Sequence, residues 1–312
     1  MCSGSNVRPF IALVLTAMTL TSVAQEQGVS EFNADVGYEN GNFIPRGILP
    51  FRWSENFTSH VSYSGNQSLE IGYINAAEDS LNAAVMKEAR LALGLLTYEY
   101  SGNKSSYSIG IEYEQINIDA EEKGFYKAGD GSLQMAELRR DIKVNRVNVP
   151  VSFQHEGSAV TNRISVTGSF GSELELTQDA YLPEYNSSRV SGAGKEKQDA
   201  SWQLSWEGVY KFSNYFSPGW RFAYENLPLS YDTLLASSAS PTGYETSAVQ
   251  QDYEKMTAEL RIYWGDFNES VAAARYIGFR REKITSTLEI SGVKSEADEY
   301  VNSVVFGLDA RF

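Results

Sequence analysis

The stretch Tyr-Val-Asn-Ser-Val-Val-Phe-Gly-Leu-Asp-Ala-Arg-Phe at positions 300–312 decides the fold class. One set of alternate positions is largely apolar: Tyr300, Asn302, Val304, Phe306, Leu308, Ala310 and Phe312. The other set is mixed, small or charged: Val301, Ser303, Val305, Gly307, Asp309 and Arg311. A period of two predicts a β-strand. Its two unlike faces are typical of a strand with lipid outside and a polar lumen inside.

This segment resembles the terminal strand of bacterial outer-membrane β-barrels, in which a final Phe follows alternating apolar residues. The resemblance indicates a class and no family. It implies a Gram-negative outer-membrane location, with lipid and lipopolysaccharide around the barrel. It also implies delivery by periplasmic chaperones to the barrel-assembly machinery, for which the expected assembly signal is Phe306, Leu308, Ala310 and Phe312.

The start of the chain has the features of a cleaved export signal. An uncharged, mostly apolar run extends from Phe10 to Ala24, which is too short for a transmembrane helix. Ser22 and Ala24 are the small residues that signal peptidase requires, so we expect cleavage after Ala24. We predict residues 1–24 as signal peptide and residues 25–312 as a single barrel domain. Because the only cysteine is Cys2, no disulfide is expected in the exported domain.

The same alternation recurs upstream and predicts about twelve strands, with ten or fourteen also compatible. The expected class is an all-β transmembrane antiparallel barrel. Short links alternate with long polar segments near 66–87, 119–137, 173–199, 227–250 and 281–298, so we expect short periplasmic turns and long extracellular loops. The predicted strands are 33–39, 47–53, 57–65, 88–100, 106–118, 138–153, 160–172, 200–212, 218–226, 252–264, 271–280 and 299–312.

Two segments leave alternatives open. Apolar residues between Leu81 and Leu96 also fit a helical period, so an amphipathic helix is possible there. In the eleventh strand, Arg275 stands among apolar neighbours on one face, with Ala274 and Tyr276 on the other. Because charge at the lipid midplane costs about 2–4 kcal/mol, we expect Arg275 to face the lumen.

The predicted lumen carries both signs of charge and suggests a passive channel. A mixed lining can select solutes by width and charge, or it can form salt bridges that brace and close a narrow barrel. The leading hypothesis is a small porin-like channel for small solutes. The alternative is a solitary autotransporter-like, structural or surface-presenting barrel without an open pore. The predicted lining residues are Glu112, Glu114, Arg146, Arg163, Glu207, Lys211, Arg221, Glu225, Glu259, Arg261, Arg275, Asp309 and Arg311.

Composition and motifs favour neither enzyme nor nucleic-acid chemistry. With 26 Lys and Arg against 40 Asp and Glu, the chain lacks the basic excess that nucleic acid attracts. The two histidines, His60 and His155, are not in metal-ligand spacing. Gly192 to Lys195 lacks Walker spacing, and the acidic clusters lack an EF-hand pattern. We therefore predict no catalytic residues, no metal and no cofactor; a hydrolase based on His60 is the enzyme alternative.

Overall fold

The computed structural model describes residues 31–39, 42–75, 80–127, 133–181, 190–213, 216–236, 244–265, 272–290 and 293–311. The expected signal peptide, its cleavage site and Phe312 lie outside this part, as do the side chains of Ala310 and Arg311. No helix long and apolar enough to cross a membrane occurs among the described residues.

The described chain forms thirteen β-strands. Twelve of them close into an antiparallel ring in the order β1 to β7 followed by β9 to β13, and β8 adds to the free edge of β7. The strands are β1 Glu31–Glu39, β2 Asn42–Arg52, β3 Phe57–Asn75, β4 Ser80–Ser101, β5 Ser105–Lys127, β6 Leu133–Glu156, β7 Val160–Tyr181, β8 Val190–Lys197, β9 Ser201–Tyr210, β10 Phe216–Ala236, β11 Tyr244–Trp264, β12 Ala272–Ile290 and β13 Val293–Arg311.

The transmembrane β-barrel expected from the sequence is confirmed, and each of the twelve predicted strands has a counterpart. The helical alternative near residues 81–96 is wrong, because β4 is extended throughout. The strands are also much longer than expected. Most residues of the segments predicted as long loops continue the strands, for example in β5 and β6, which reach Lys127 and begin again at Leu133.

An apolar belt surrounds the outside of the barrel. Large outward side chains, including Tyr107, Ile109, Val151, Trp206 and Leu260, are 45% to 65% exposed. Exposed apolar residues repeated on adjacent strands are unusual in soluble proteins and correspond to the lipid-facing band of a membrane barrel. Aromatic residues lie toward the borders of the belt, as expected where lipid meets water. They include Phe57, Tyr98, Trp202, Tyr210, Tyr224 and Trp264.

In strand β5 the apolar side chains change from the outer to the inner face of the barrel where the strand leaves the belt. Its exposed apolar residues are odd-numbered, from Tyr107 to Tyr113, whereas its buried apolar residues Ile116, Ile118 and Ala120 are even-numbered. Successive side chains of a strand point to opposite faces. The apolar face of β5 therefore changes from outside to inside after Tyr113, where the strand leaves the lipid and enters water.

In β7 a glycine accompanies the same change. Phe170 is exposed on the outer face, whereas Leu174 and Leu176 are buried inside although their numbers are also even. Gly171, with a φ of 63°, lies next to an irregularity in the β6–β7 ladder. A side chain at positive φ is strained, so glycine suits this bulge, and the extra residue shifts the alternation by one position.

Beyond the belt the ring flattens into two packed sheets, which we call the tip sandwich. One sheet contains the outer parts of β3 to β7 with β8, and the other contains those of β10 to β13. The β1–β2 hairpin ends beside the belt residues Tyr38 and Phe43, and β3 contacts β13 beyond it. The two sheets enclose one apolar core, formed by Met86, Ile116, Ile118, Ala120, Ile142, Val144, Leu174, Leu176, Leu227, Leu229, Tyr231, Val249, Tyr253, Ile284 and Val301.

Side chains close the sandwich where the backbone ladder stops. The β9–β10 ladder ends at Asn226, and among the described strands no ladder joins β8 to the rest of β10. The amide of Gln198 accepts from Ser230 N (2.7 Å) and donates to Ser230 O (2.8 Å). The amide of Gln178 accepts from Leu234 N (3.1 Å) and donates to Asp232 O (3.2 Å). Two glutamine side chains thus satisfy the edge of β10 in place of a neighbouring strand.

Candidate functional site: the barrel interior

The interior is accessible at the end that carries the short turns 53–56, 102–104 and 157–159, which we call the turn end. Ile48 lies on the inward face, two residues from Arg46, yet it is 46% exposed. Arg163 Nη1 lies 4.0 Å from Glu207 Oε1, and both side chains are more than one third exposed. Water therefore enters the barrel at the turn end.

Deeper in the barrel, farther from the turn end, a dense set of ion pairs crosses the interior. Arg146 donates to Glu114 Oε2 (2.7 Å) and Glu225 Oε1 (3.1 Å). Arg90 donates to the same Glu225 oxygen (2.6 Å) and also bonds Glu88. These side chains project from β4, β5, β6 and β10, so their bonds connect opposite parts of the wall.

A second group of pairs continues the crossing toward β3 and β12. Glu282 accepts from Gln67 Nε2 (2.6 Å) and lies 3.5 Å from Lys255 Nζ. Lys255 also donates to Gln67 Oε1 (2.7 Å), and Arg46 Nη2 lies 3.9 Å from Glu282. We call the two groups together the ionic layer. Four carboxylates balance four cations in it: Glu88, Glu114, Glu225 and Glu282 with Arg46, Arg90, Arg146 and Lys255.

A third group, the arginine–tyrosine cluster, lies on the inner face of β1, β11 and β12. Glu259 accepts from Arg261 Nε (2.6 Å) and from Arg280 Nε (2.7 Å). Tyr276 donates to Asp35 Oδ2 (3.2 Å), and the Arg261 guanidinium lies 4.7 Å from the centre of the Tyr276 ring. All five residues are buried. Buried charges persist only when paired and hydrogen-bonded, and here two acids meet two arginines.

The prediction that Arg275 faces the lumen is wrong. Arg275 is exposed on the outer face, whereas Ala274 and Tyr276 are buried inside. Arg275 pairs in register with Trp264 at the end of β11, where the belt meets water and a guanidinium costs little. Tyr276 fits inside because its ring lies against Gly307 of β13. Any other residue at position 307 would place its Cβ 2.1 Å from that ring, so the glycine makes room for it.

His60 joins the ionic layer through hydrogen bonds. Its Nε2 lies 2.8 Å from Glu112 Oε2, and Asn148 donates to both Glu112 Oε1 and Glu114 Oε2 at 2.8 Å. A histidine that activates a serine for covalent hydrolysis is hydrogen-bonded to the serine hydroxyl. Among the described residues, no serine hydroxyl is bonded to the His60 ring.

Beyond the belt, the apolar core of the tip sandwich fills the interior. Strands β4 and β11 lie six positions apart in the ring in either direction, so they are diametrically opposed. Their side chains nevertheless meet, because Tyr253 Oη lies 3.2 Å from Met86 Sδ. A cavity of about 30 Å³ remains between the core and the ionic layer, room for one or two water molecules. Its lining includes Met86, Glu88, Arg90, Glu225, Tyr253 and Lys255.

The structure distributes the thirteen predicted lining residues over different regions. Glu112, Glu114, Arg146, Glu225, Glu259 and Arg261 lie in the crowded part of the interior. Arg163, Glu207, Lys211, Arg221 and Asp309 lie toward the turn end, Arg275 faces outward, and the Arg311 side chain is outside the described part. Of the predicted assembly signal, Phe306 is exposed in the belt and Leu308 is half-buried.

Sequence reasoning missed half of the charged interior. Asp35, Glu88, Arg90 and Lys255 lie in predicted strands but were not included in the predicted lining. Arg46 and Glu282 lie outside the predicted strands, and Arg280 lies on the face of β12 that was assigned to lipid. Continuing the alternation of β4 beyond Ala92 would have identified Arg90 and Glu88. The missed residues are Asp35, Arg46, Glu88, Arg90, Lys255, Arg280 and Glu282.

Comparisons with known proteins identify no family. No family model matches the chain, and no curated protein sequence matches it. Among solved structures, it is similar to the outer membrane protease OmpT from Escherichia coli, with 9% identity, 92% and 94% coverage of the two chains and a TM-score of 0.49. It is similar to the beta domain of the Bordetella autotransporter BrkA, with 10% identity, 91% and 98% coverage and a TM-score of 0.45. It is also similar to the KdgM porin, with 10% identity, 90% and 99% coverage and a TM-score of 0.35. These proteins are outer-membrane β-barrels, the class that the C-terminal strand resembles.

Proposed function

We propose that this protein is a closed barrel of the bacterial outer membrane that holds the tip sandwich at the cell surface. This is the surface-presenting alternative of the sequence analysis, with strand extensions in place of long loops. The short turns then lie in the periplasm, and the water-accessible mouth at the turn end opens there. No cofactor or energy source enters this function.

The contact between Tyr253 and Met86 carries the proposal. An open pore needs a gap between opposed strands, and here opposed strands touch across the lumen. The ionic layer supports the same conclusion, because Glu114, Arg146 and Glu225, which were expected to line a channel, bond one another instead. A solute could pass only after these buried pairs were broken, and breaking one by removing a partner typically costs about 3–5 kcal/mol.

Ion conductance of the refolded protein in a planar bilayer tests the proposal. We expect the wild type to insert without steady current. A variant with four truncations, Met86→Ala, Tyr253→Ala, Glu114→Ala and Arg146→Ala, removes the apolar contact and three ion pairs of the ionic layer while keeping the charges balanced, so we expect it to conduct.

The matched control is Lys283→Ala with Asp298→Ala, which removes an ion pair of 2.8 Å from the outer surface. It should remain silent like the wild type. Steady current through the folded wild-type protein would contradict closure and would favour the channel hypothesis.

A further inference from the structure

One arginine lies on the lipid-facing surface within the apolar belt. Arg281 of β12 is exposed, and it pairs in register with Ala258 of β11 and Asn302 of β13. On each neighbouring strand the belt extends two residues farther from the turn end, to Met256 and Tyr300, which are both 52% exposed. Arg281 therefore lies below the tip-side border of the belt.

No carboxylate of the described residues neutralises Arg281. Its guanidinium carbon lies 4.9 Å from the centre of the Tyr300 ring, which is a cation–π contact. The nearby Lys283 donates to Asp298 Oδ2 (2.8 Å) and lies 6.0 Å from the same ring. Lys283 has Asp298 as its partner and Glu296 farther away, so among the described residues Arg281 is the cation of this patch that no carboxylate pairs with.

A cation that faces lipid is costly unless it reaches the headgroups or an anion. At the border of the belt the anions within reach are lipid phosphates. A guanidinium presents a planar fork of donors that matches phosphate oxygens, and Lys283 adds a second cation beside it. Below Arg281, the exposed Phe279 and Val304 continue into the region of the acyl chains.

We propose that Arg281, supported by Lys283 and Tyr300, binds the phosphate of an anionic lipid of the outer leaflet, the phosphorylated glucosamine headgroup of lipopolysaccharide. Tyr300 holds the guanidinium at the height of the headgroup, and the acyl chains lie along β12. The assignment to the outer leaflet follows from the orientation in the proposed function. The binding chemistry does not depend on whether the barrel conducts.

The test uses the whole refolded protein in detergent with three probes: bis-phosphorylated lipid A, the same lipid without phosphates, and glycerol phosphate. We expect phosphorylated lipid A to raise the melting midpoint by about 3 °C and to remain bound in native mass spectrometry, and the other two probes to do neither. Arg281→Leu should bind phosphorylated lipid A about tenfold more weakly, which corresponds to the loss of one charge-assisted bond.

The control Lys87→Ala removes an exposed lysine beyond the belt on β4 and should bind like the wild type. Equal binding of both lipids would overturn the proposal, as would an equal loss in Lys87→Ala. A response to glycerol phosphate alone would overturn the lipid assignment. If Arg281→Leu does not fold, Arg281→Gln removes the same charge with a polar side chain, and its affinity decides between the same outcomes.

Discussion

Two arginines on β12 lie on opposite faces of the strand, Arg280 inside the barrel and Arg275 outside at the border of the belt. Arg280 is 1% exposed and bonds Glu259, with Asp35 close by, whereas Arg275 is on the outer surface. We expect Arg280→Ala to lower the free energy of unfolding by about 3–5 kcal/mol, because it leaves two buried carboxylates without this cation. Urea unfolding in detergent micelles, followed by tryptophan fluorescence, measures the effect.

Arg275→Ala is the matched control on the same strand. Because Arg275 lies at the border of the belt, we expect its removal to change the free energy of unfolding by about 1 kcal/mol or less. Similar losses in the two variants would show that the interior does not depend on paired charge.

The error about Arg275 shows what alternation alone leaves undecided. Both faces of β12 contain apolar residues, and a charge near the end of a strand is inexpensive on either face. The deciding contact is the Tyr276 ring against Gly307 of the next strand, which depends on register. Placing Arg275 inside also assigned Arg280 to the lipid side, so one wrong choice removed an interior residue from the predicted set, whereas Glu282 was missed because the predicted strand ended at residue 280.

At the scale of the element, strands were predictable within the belt and not beyond it. Alternation with the apolar face outward identified all twelve ring strands. In β5 the pattern reverses after Tyr113, and the outer face becomes polar, with Asp119 and Glu121. A reversal breaks the period that the sequence reading followed, so the outer half of the strand resembled a polar loop. The apolar residues Ile116 and Ile118, shifted by one position, are the signal that was available.

The glutamine side chains at the edge of β10 give a prediction for hydrogen exchange. Gln198→Ala removes both bonds to Ser230, and a hydrogen bond contributes about 0.5–1.5 kcal/mol. We therefore expect amide exchange in residues 227–236 to accelerate by up to about tenfold. Peptide-resolved mass spectrometry provides the measurement.

Gln154→Ala serves as the control, since Gln154 also lies in a long strand but is remote from β10. It should leave exchange in residues 227–236 unchanged. No acceleration in Gln198→Ala would mean that another contact protects this edge.

The last strand closes the ring, because β13 pairs with β1 on one side and β12 on the other. We expect Phe312→Ser to reduce the fraction of assembled barrel in cells, since it removes the aromatic end of the predicted assembly signal. Heat-modifiable migration on a detergent gel measures that fraction. Lys294→Ser, at the other end of the same strand, is the control; equal assembly of both variants would contradict the signal.

At the scale of the whole molecule, the orientation can be tested with single cysteines. The only cysteine in the sequence is Cys2, which is expected to be removed with the signal peptide. A cysteine introduced in the barrel is then the single thiol that a maleimide can label. We expect Asp252→Cys, on the exposed outer face of the tip sandwich, to react with a membrane-impermeant maleimide on intact cells. Lys211→Cys, at the turn end, should react only after the cells are opened. The reverse pattern would place the sandwich in the periplasm.

The interruption of the ladder beyond the belt has a consequence for how such a protein can diversify. Within the belt every strand is bonded on both sides, so a gained or lost hairpin changes the circumference of the whole ring. Beyond the belt the two sheets end at β3, β13, β8 and β10, where side chains and packing replace the ladder. Strand β8 already adds to one sheet without a place in the ring. The tip sandwich can therefore acquire new strands and new shapes while the belt stays constant.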